Sequence, residues 1–432
     1  MTARKKVILG IIAGVLVFLL LAAAAVGAYY SVILKRTLEQ VAAPQKQNVV
    51  FSVYVLADDA AKGLEDTAAL SYGINRSEPD QDSMTRALGE LGKMLGKELH
   101  TVGYDSLFSL TDGLQQQEIR VILLNEALLD SLAETEGYEW TAEGLRKLES
   151  VLIGQEELTA EHTEGQSGTA EESVRPPSEL PQGFVVYISG IDRYGGLTAR
   201  SRSDVNILAA VNTKTKNMQL VATPRDYYVT FSRAKGQKDK LTHAGIYGVE
   251  MSVDALERLY GVEIDYWLRL NFTGFVEIID ALGGIDIYSE HTFTVKNIKT
   301  YQTGINQVNG LEALAFARER YSFANGDYQR AKNQMEVIRA VIDKCTSPAL
   351  LKNYRSVMDG IAGSFSTNMP EDQILSLARI QLASGGEWKV SSYTVSGTGA
   401  SRETYSMPGR KLYVILPDQK SVSQAKALLA GI

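Results

Sequence analysis

The sequence predicts an α/β protein whose main part is a mixed central sheet flanked by helices. A small α/β domain and an N-terminal transmembrane helix are expected ahead of it. Three observations predict this order. Val7 to Ser31 is a run of 25 residues without a charge. Strand-like and helix-like segments alternate in two separate blocks. An acidic, Pro-containing stretch divides those blocks.

The run Val7–Ser31 exceeds the roughly 20 apolar residues a helix needs to cross about 30 Å of hydrocarbon. It is also longer than the usual 7–15-residue core of a cleaved signal. Ala22–Ala25 followed by Val26-Gly27-Ala28 does imitate a small-residue cleavage site, so cleavage is the competing reading. Arg4, Lys5 and Lys6 precede the run and Lys35 and Arg36 follow it, a bias that places the remainder outside the membrane. Residues 1–36 are therefore expected to be a cytoplasmic tip and anchor.

Val49–Leu56 has the β-branched and aromatic content of a strand, and so does Ile119–Leu124. Met84–Leu99 and Thr141–Leu152 have helical spacing. Residues 46–154 thus read as an accessory α/β domain, with no cluster of chemistry-bearing side chains. Residues 155–182 hold seven Glu with Ser, Thr, Gly and three Pro, too little apolar surface to offset ordering entropy, and read as a linker.

Residues 183–432 form the dense block. Phe184–Ile188, Val205–Val211, Met218–Ala222 and Lys411–Leu416 read as strands. Val253–Tyr260, Phe272–Ala281, Leu311–Ala317, Tyr328–Lys344 and Val422–Leu429 read as helices. Overall charge is mildly acidic, 44 Lys+Arg against 51 Asp+Glu in 432 residues, which argues against a nucleic-acid-binding surface. The single Cys345 excludes an intrachain disulfide and any multi-cysteine metal centre.

Walker, GxSxG and HExxH signatures are absent. Instead, Asp and Arg residues gather at the ends of predicted elements. Asp192 follows one strand and Asp204 precedes the next, where two carboxylates can share a divalent cation such as magnesium. Taken singly, each also suits a turn or a cap. Arg225, beside Pro224, can fork onto a phosphate or simply pair with Asp226. Lys240 can add a point charge, and His243 reads first as a structural hydrogen bonder. Arg318 and Arg320 share a face only where the chain is extended, so they converge on one anion if the preceding helix stops near Ala317. Asp327, Arg330 and Gln334, at i, i+3 and i+7, line one face of the next helix. Arginines with paired carboxylates are what a pyrophosphate requires.

These segments resemble the core of the LytR–CpsA–Psr family. They are Val186–Asp192, Arg202–Leu208, Thr223–Asp226, Lys240–Gly245, Arg318–Tyr321, and Gly326-Asp327 with Arg330 and Gln334. The resemblance spans roughly residues 183–400 in order and spacing, and looks nearest to the capsule-type, CpsA-like branch of Gram-positive bacteria. Residues 49–152 resemble that branch's accessory domain.

The resemblance implies a membrane-anchored extracytoplasmic phosphotransferase. Such an enzyme moves a glycopolymer, capsular or teichoic-acid-like, from a polyprenyl-pyrophosphate carrier to a peptidoglycan sugar hydroxyl as a phosphodiester. It further implies that Asp192 and Asp204 hold Mg2+, while Arg202, Arg225, Arg318, Arg320 and Arg330 bind the phosphates. Asp327 would orient an arginine or take the acceptor proton, Gln334 would support that face, and the lipid tail would enter an apolar pocket. Partners are then the lipid-linked polymer, peptidoglycan and the membrane, with no nucleic acid. Many members carry a further Arg where this chain has Asn333, so Lys332 is expected to replace that contact or the contact is missing. A hydrolase of the same pyrophosphate, a non-catalytic envelope regulator and a lipid-binding module are the alternatives.

Overall fold

The computed structural model describes residues 47–154, 180–191, 199–324, 326–347 and 363–431. The anchor run, most of the acidic stretch and Asp192 lie outside those residues. Among the described residues no helix is long and apolar enough to cross a membrane.

The N-terminal block is a five-stranded sheet built from β1 (Asn48–Leu56), β2 (Tyr72–Asn75), β3 (Thr101–Tyr104), β4 (Val121–Asn125) and β5 (Leu145–Gly154), in the order β3-β2-β4-β1-β5. β1 is buried from Val49 to Val55 because both its faces are covered, and it is mostly apolar, with Ser52 the hydrogen-bonded exception. Val49, Phe51, Val53 and Val55 pack with Met84, Ala87 and Leu91 of α1 (Gln81–Leu95). Tyr54 points the other way, toward Leu107, Leu110 and Leu114 of α2 (Leu107–Gln115). α1 stops short of Leu99 because Gly96, at φ 66°, supplies the left-handed cap.

The expected helix over Thr141–Leu152 is corrected. A five-residue helix, α3 (Leu129–Ala133), precedes a single turn, α4 (Thr141–Gly144), and the chain then enters β5. β5 pairs with β1 along its whole length, from Leu145 opposite Leu56 to Gly154 opposite Asn48. A register shift opposite Val53/Tyr54 inserts one residue into β5. That bulge puts Leu148 and Val151, three apart in sequence, on the same face, a helical spacing within a strand, while Leu145 packs on the other face.

The C-terminal block centres on β6 (Gly183–Ile191), β7 (Ser203–Asn212) and β8 (Asn217–Ala222), consecutive antiparallel strands. A short hairpin, β9 (Tyr228–Thr230) with β10 (Lys238–Lys240), leads into α5 (Leu241–Ala244) and α6 (Val249–Tyr260). β11 (Tyr266–Asn271) then returns parallel to β6. Beyond it come α7 (Phe272–Ala281) and the two small hairpins, β12 (Ile285–Ser289) with β15 (Gly304–Val308), and β13 (Phe293–Val295) with β14 (Lys299–Tyr301). α8 (Gly310–Arg318) and α9 (Gly326–Cys345) follow. The chain closes with β16 (Phe365–Thr367), α10 (Glu371–Ser384), β17 (Lys389–Thr394), the hairpin β18 (Gly397–Glu403) and β19 (Lys411–Pro417), and α11 (Gln419–Ala430).

The six-stranded sheet has the order β16-β11-β6-β7-β8-β17. Alternation along β7 sets the layers. Leu208 and Ala210 face α6 and α11 through Leu256, Tyr260, Ala425 and Leu429. Ile207, Ala209 and Val211 face α9 and α10 through Met335, Ile338, Ile374 and Leu377. The mixed α/β expectation is met. Strand directions bring the C-terminal ends of β6, β8 and β11 and the N-terminal end of β7 to one edge of the sheet. The two blocks are also packed together. Leu128, Leu132 and Tyr138 share a cluster with Ile246, Met407 and Leu412.

Candidate active site

Asp204 is the second residue of β7, at that shared edge. Its Oδ1 accepts from the Thr242 hydroxyl at 2.8 Å, and its Oδ2 accepts from Arg225 Nη1 at 3.2 Å. Arg202 Nη2 lies 3.8 Å from the same oxygen. Thr242 can reach because α5 packs against the entry to β7 with Gly245 at the contact. A Cβ there would stand 2.6 Å from the Ser201 carbonyl oxygen, so only glycine fits. The Thr242 amide also donates to the Arg225 carbonyl at 2.8 Å, tying that turn to the Pro224-Arg225 turn. Burial alone would raise the Asp204 carboxyl. Arg202, Arg225 and the Thr242 hydroxyl, with Arg330 adding, outweigh it and hold the group well below the ordinary carboxylate range.

A second set of arginines comes from α8 and α9. An Asn309/Glu312 capping box opens α8, and the helix ends at Arg318, where Glu319 turns extended (φ −65°, ψ 129°). Arg318 and Arg320 consequently both line the cavity, as the spacing argument required of a helix stopping there. The Arg318 guanidinium stacks 4.3 Å over the Phe272 ring, and Arg320 lies 4.8 Å over that of Tyr321. Gly326 lets α9 begin against the Arg320 carbonyl, where a Cβ would clash with backbone. One and two turns on, Arg330 and Gln334 line the same cavity. Asp327 lies in the first turn of α9.

Asp204, Arg225, Arg318, Arg320, Arg330 and Gln334 form the polar end of a cavity of about 460 Å³. Its other walls are apolar: Ile188, Val205 and Leu270 from the sheet, Phe275 from α7, Leu314 from α8 and Ile338 from α9. One cavity thus joins a guanidinium-rich end to a hydrocarbon-compatible one, within the size range of small-ligand sites.

Other expected site residues stand elsewhere. Arg202 lies behind the cavity wall, buried against Asp204, Asp130 and Glu134. Lys240 does not line the cavity, and its ammonium sits 3.1 Å from Asp226. His243 is fully buried, with Nδ1 2.7 Å from Asp239 and Nε2 3.0 Å from Ser131. Of the two expectations for the Asn333 position, the structure agrees with a missing basic contact. The Asn333 amide donates to the Phe316 carbonyl at 3.1 Å and accepts from Gln329 at 3.1 Å, fastening α8 to α9. Lys332 is no substitute, because its ammonium pairs with Glu290 at 3.0 Å, away from the cavity.

One charged lining residue comes from outside the family-like segments. Glu134, just after α3 in the N-terminal block, reaches the cavity and contacts both Arg202 and Arg225. Nothing local marks this carboxylate, since only the docking of the two blocks brings it there.

Comparisons with known proteins give the chain's family. The LytR_cpsA_psr family model matches residues 150–429, well over half of the chain. A polyisoprenyl-teichoic acid–peptidoglycan teichoic acid transferase TagU of Bacillus cereus is 34% identical over 195 residues, 45% of this chain and 63% of the relative. The similarly named protein of Enterococcus faecalis is 30% identical over 225 residues, 52% of this chain and 73% of that protein. The crystal structure of B. subtilis TagV is 25% identical and covers 58% of this chain and 96% of its own, with a TM-score of 0.49. The chain thus spans somewhat under two thirds of the length of the Bacillus relative it matches. From its matched region, this chain belongs to the LytR_cpsA_psr family.

Proposed function

We propose that this protein transfers a glycopolymer from a polyprenyl-pyrophosphate carrier to a sugar hydroxyl of peptidoglycan. The observation that carries the reading is the single cavity with arginines at one end and aliphatic and aromatic walls at the other. A lipid pyrophosphate has those two chemistries joined in one molecule. The activity for which these relatives are named, teichoic acid transfer to peptidoglycan, supports a glycopolymer substrate. A capsule-type polymer is the finer proposal.

In the reaction, the acceptor oxygen attacks the glycan-side phosphorus. A new P–O bond forms as the bond to the bridging oxygen breaks, and polyprenyl phosphate leaves with that oxygen. The hydroxyl proton passes to a carboxylate, for which Asp327 is the candidate. Arg225, Arg318, Arg320 and Arg330 meet the charge that accumulates on the phosphoryl oxygens. Asp204 offers ionised carboxylate oxygens at this end of the cavity, donors that suit a hard cation. Asp204 with Asp192 would hold Mg2+, which when bound neutralises pyrophosphate charge. The charge-free run Val7–Ser31 would anchor the chain, with the catalytic block outside the membrane.

The test incubates the detergent-solubilised full chain with a polyprenyl-pyrophosphate oligosaccharide and peptidoglycan fragments. Mass spectrometry should find polyprenyl phosphate together with a phosphodiester-linked conjugate. A free phosphorylated oligosaccharide without conjugate would make the protein a hydrolase, and no release of polyprenyl phosphate would overturn the reading.

A further inference from the structure

Glu134 is the one carboxylate that the N-terminal block places in the cavity wall, and its geometry is that of a stand-in for phosphate. Its Oε2 accepts from Arg202 Nη1 at 2.9 Å and from Arg225 Nη2 at 3.3 Å. Its Oε1 accepts from Arg202 Nη2 and Arg225 Nη1, both at 3.4 Å. Two oxygens bridging two guanidinium forks is the arrangement by which paired arginines hold phosphoryl oxygens. The two arginine side chains are only 5% and 9% exposed, whereas that of Glu134 is 42% exposed. The carboxylate therefore lies on the open side of the pair, between Arg225 and whatever enters the cavity.

Its position is held from behind. The Ser131 hydroxyl, three residues earlier, lies 3.0 Å from His243 Nε2 and accepts from Arg202 Nη1 at 3.4 Å. His243 Nδ1 is in turn fixed by Asp239 at 2.7 Å, and Asp239 accepts from the Ser406 amide at 2.7 Å. Leu128 and Leu132 anchor the same segment in the interface between the blocks. Three carboxylates, Asp204, Glu134 and, at 3.7 Å from Arg202, Asp130, already outnumber the two arginines. Arg318, Arg320 and Arg330 remain for a pyrophosphate, but the donors of Arg202 and Arg225 that Glu134 occupies reach phosphoryl oxygens only if that carboxylate gives way. The Asp204 side chain is 12% exposed and held by Thr242, whereas Glu134, 42% exposed and bridging both arginines, can turn out to water and release the pair.

We propose that Glu134 is an internal competitor for the phosphate site, through which the N-terminal block restrains pyrophosphate binding until the carboxylate is displaced. This rests on the pyrophosphate reading of the cavity. The experiment titrates farnesyl diphosphate, inorganic pyrophosphate and farnesol into the solubilised full chain by calorimetry, for the wild type, Glu134→Gln, Glu134→Asp and Arg330→Ala. Glu134→Gln should tighten both diphosphates roughly three- to tenfold, the worth of a part-exposed ion pair, and leave farnesol unchanged. Glu134→Asp keeps the charge but shortens its reach, and should fall between wild type and Gln. Circular dichroism confirms that each variant is folded. Unchanged or weaker diphosphate binding by folded Glu134→Gln, while Arg330→Ala still weakens it, overturns this proposal alone. Failure of every form to bind either diphosphate overturns the reading of the cavity itself.

Discussion

Replacing Glu78 with Gln should flatten the pH dependence of this protein's stability. Glu78 is 5% exposed, and Asn125 donates to its Oε1 at 3.3 Å. Across the interface its charge is felt by the phenols of Tyr247 and Tyr405. Burial pushes its carboxyl up from 4.5 to about 7, against smaller opposing hydrogen bonds from Asn125 and the Asp80 amide. In the unfolded chain the proton leaves near the ordinary value, whereas the folded protein keeps it until about pH 7. Stability from this group is therefore full below about 4.5, falls as pH rises through the interval, and levels off above about 7. At about 1.4 kcal/mol for each tenfold change, the loss is on the order of 3 kcal/mol. Urea unfolding followed by tryptophan fluorescence at pH 5 and pH 8.5, in wild type and Glu78→Gln, isolates it from every other titrating group. The variant should gain on the wild type by about that amount between the two pH values. A difference between the two proteins that does not change with pH would refute the reasoning.

Three further outcomes are expected. Asp204→Asn should lower transfer by roughly two to three orders of magnitude in the conjugate assay, the cost of removing a preorganised charge, and full turnover would exclude its role. Leu314→Trp puts an indole into the apolar wall, so it should weaken farnesyl diphosphate about tenfold or more while sparing inorganic pyrophosphate. Equal effects on both ligands would show that the tail does not lie there. Gly245→Ala should cost about 1–3 kcal/mol in unfolding experiments, because its methyl group meets the backbone of Ser201 and Ser203, and a neutral result would contradict the close packing that places Thr242.

Much of the fold was legible because its patterns are local. β7 betrays its two buried faces by a continuous apolar run, and α7 begins at Phe272 after an Asn271 side chain that caps the Gly274 amide. The Arg318/Arg320 pair was readable too, since the convergence argument needed only the end of one helix. β5 was misread because a bulge opposite Val53/Tyr54 breaks the period of two, and a bulge depends on the partner strand. The role of Asn333 was not legible for a related reason. Helical position says which face a side chain occupies, but not that the Phe316 carbonyl waits there as an acceptor.

The sequence by itself determined the kinds of group available: a charge-free run, an acidic divider, and carboxylates and arginines at the ends of elements. Their identities and short spacings follow from periodicity and turn chemistry, which act over a few residues. Only the tertiary structure decided which of them meet. Asp204, Arg225, Arg318 and Arg330 come from four separate segments, and strand order with register brings them to one edge. Tertiary packing likewise turned Lys240 onto Asp226 and carried Glu134 across from the other block. Such long-range placement is set by the burial of Leu128, Leu132 and Tyr138 against Ile246 and Met407, and buried apolar contact is not directional in sequence.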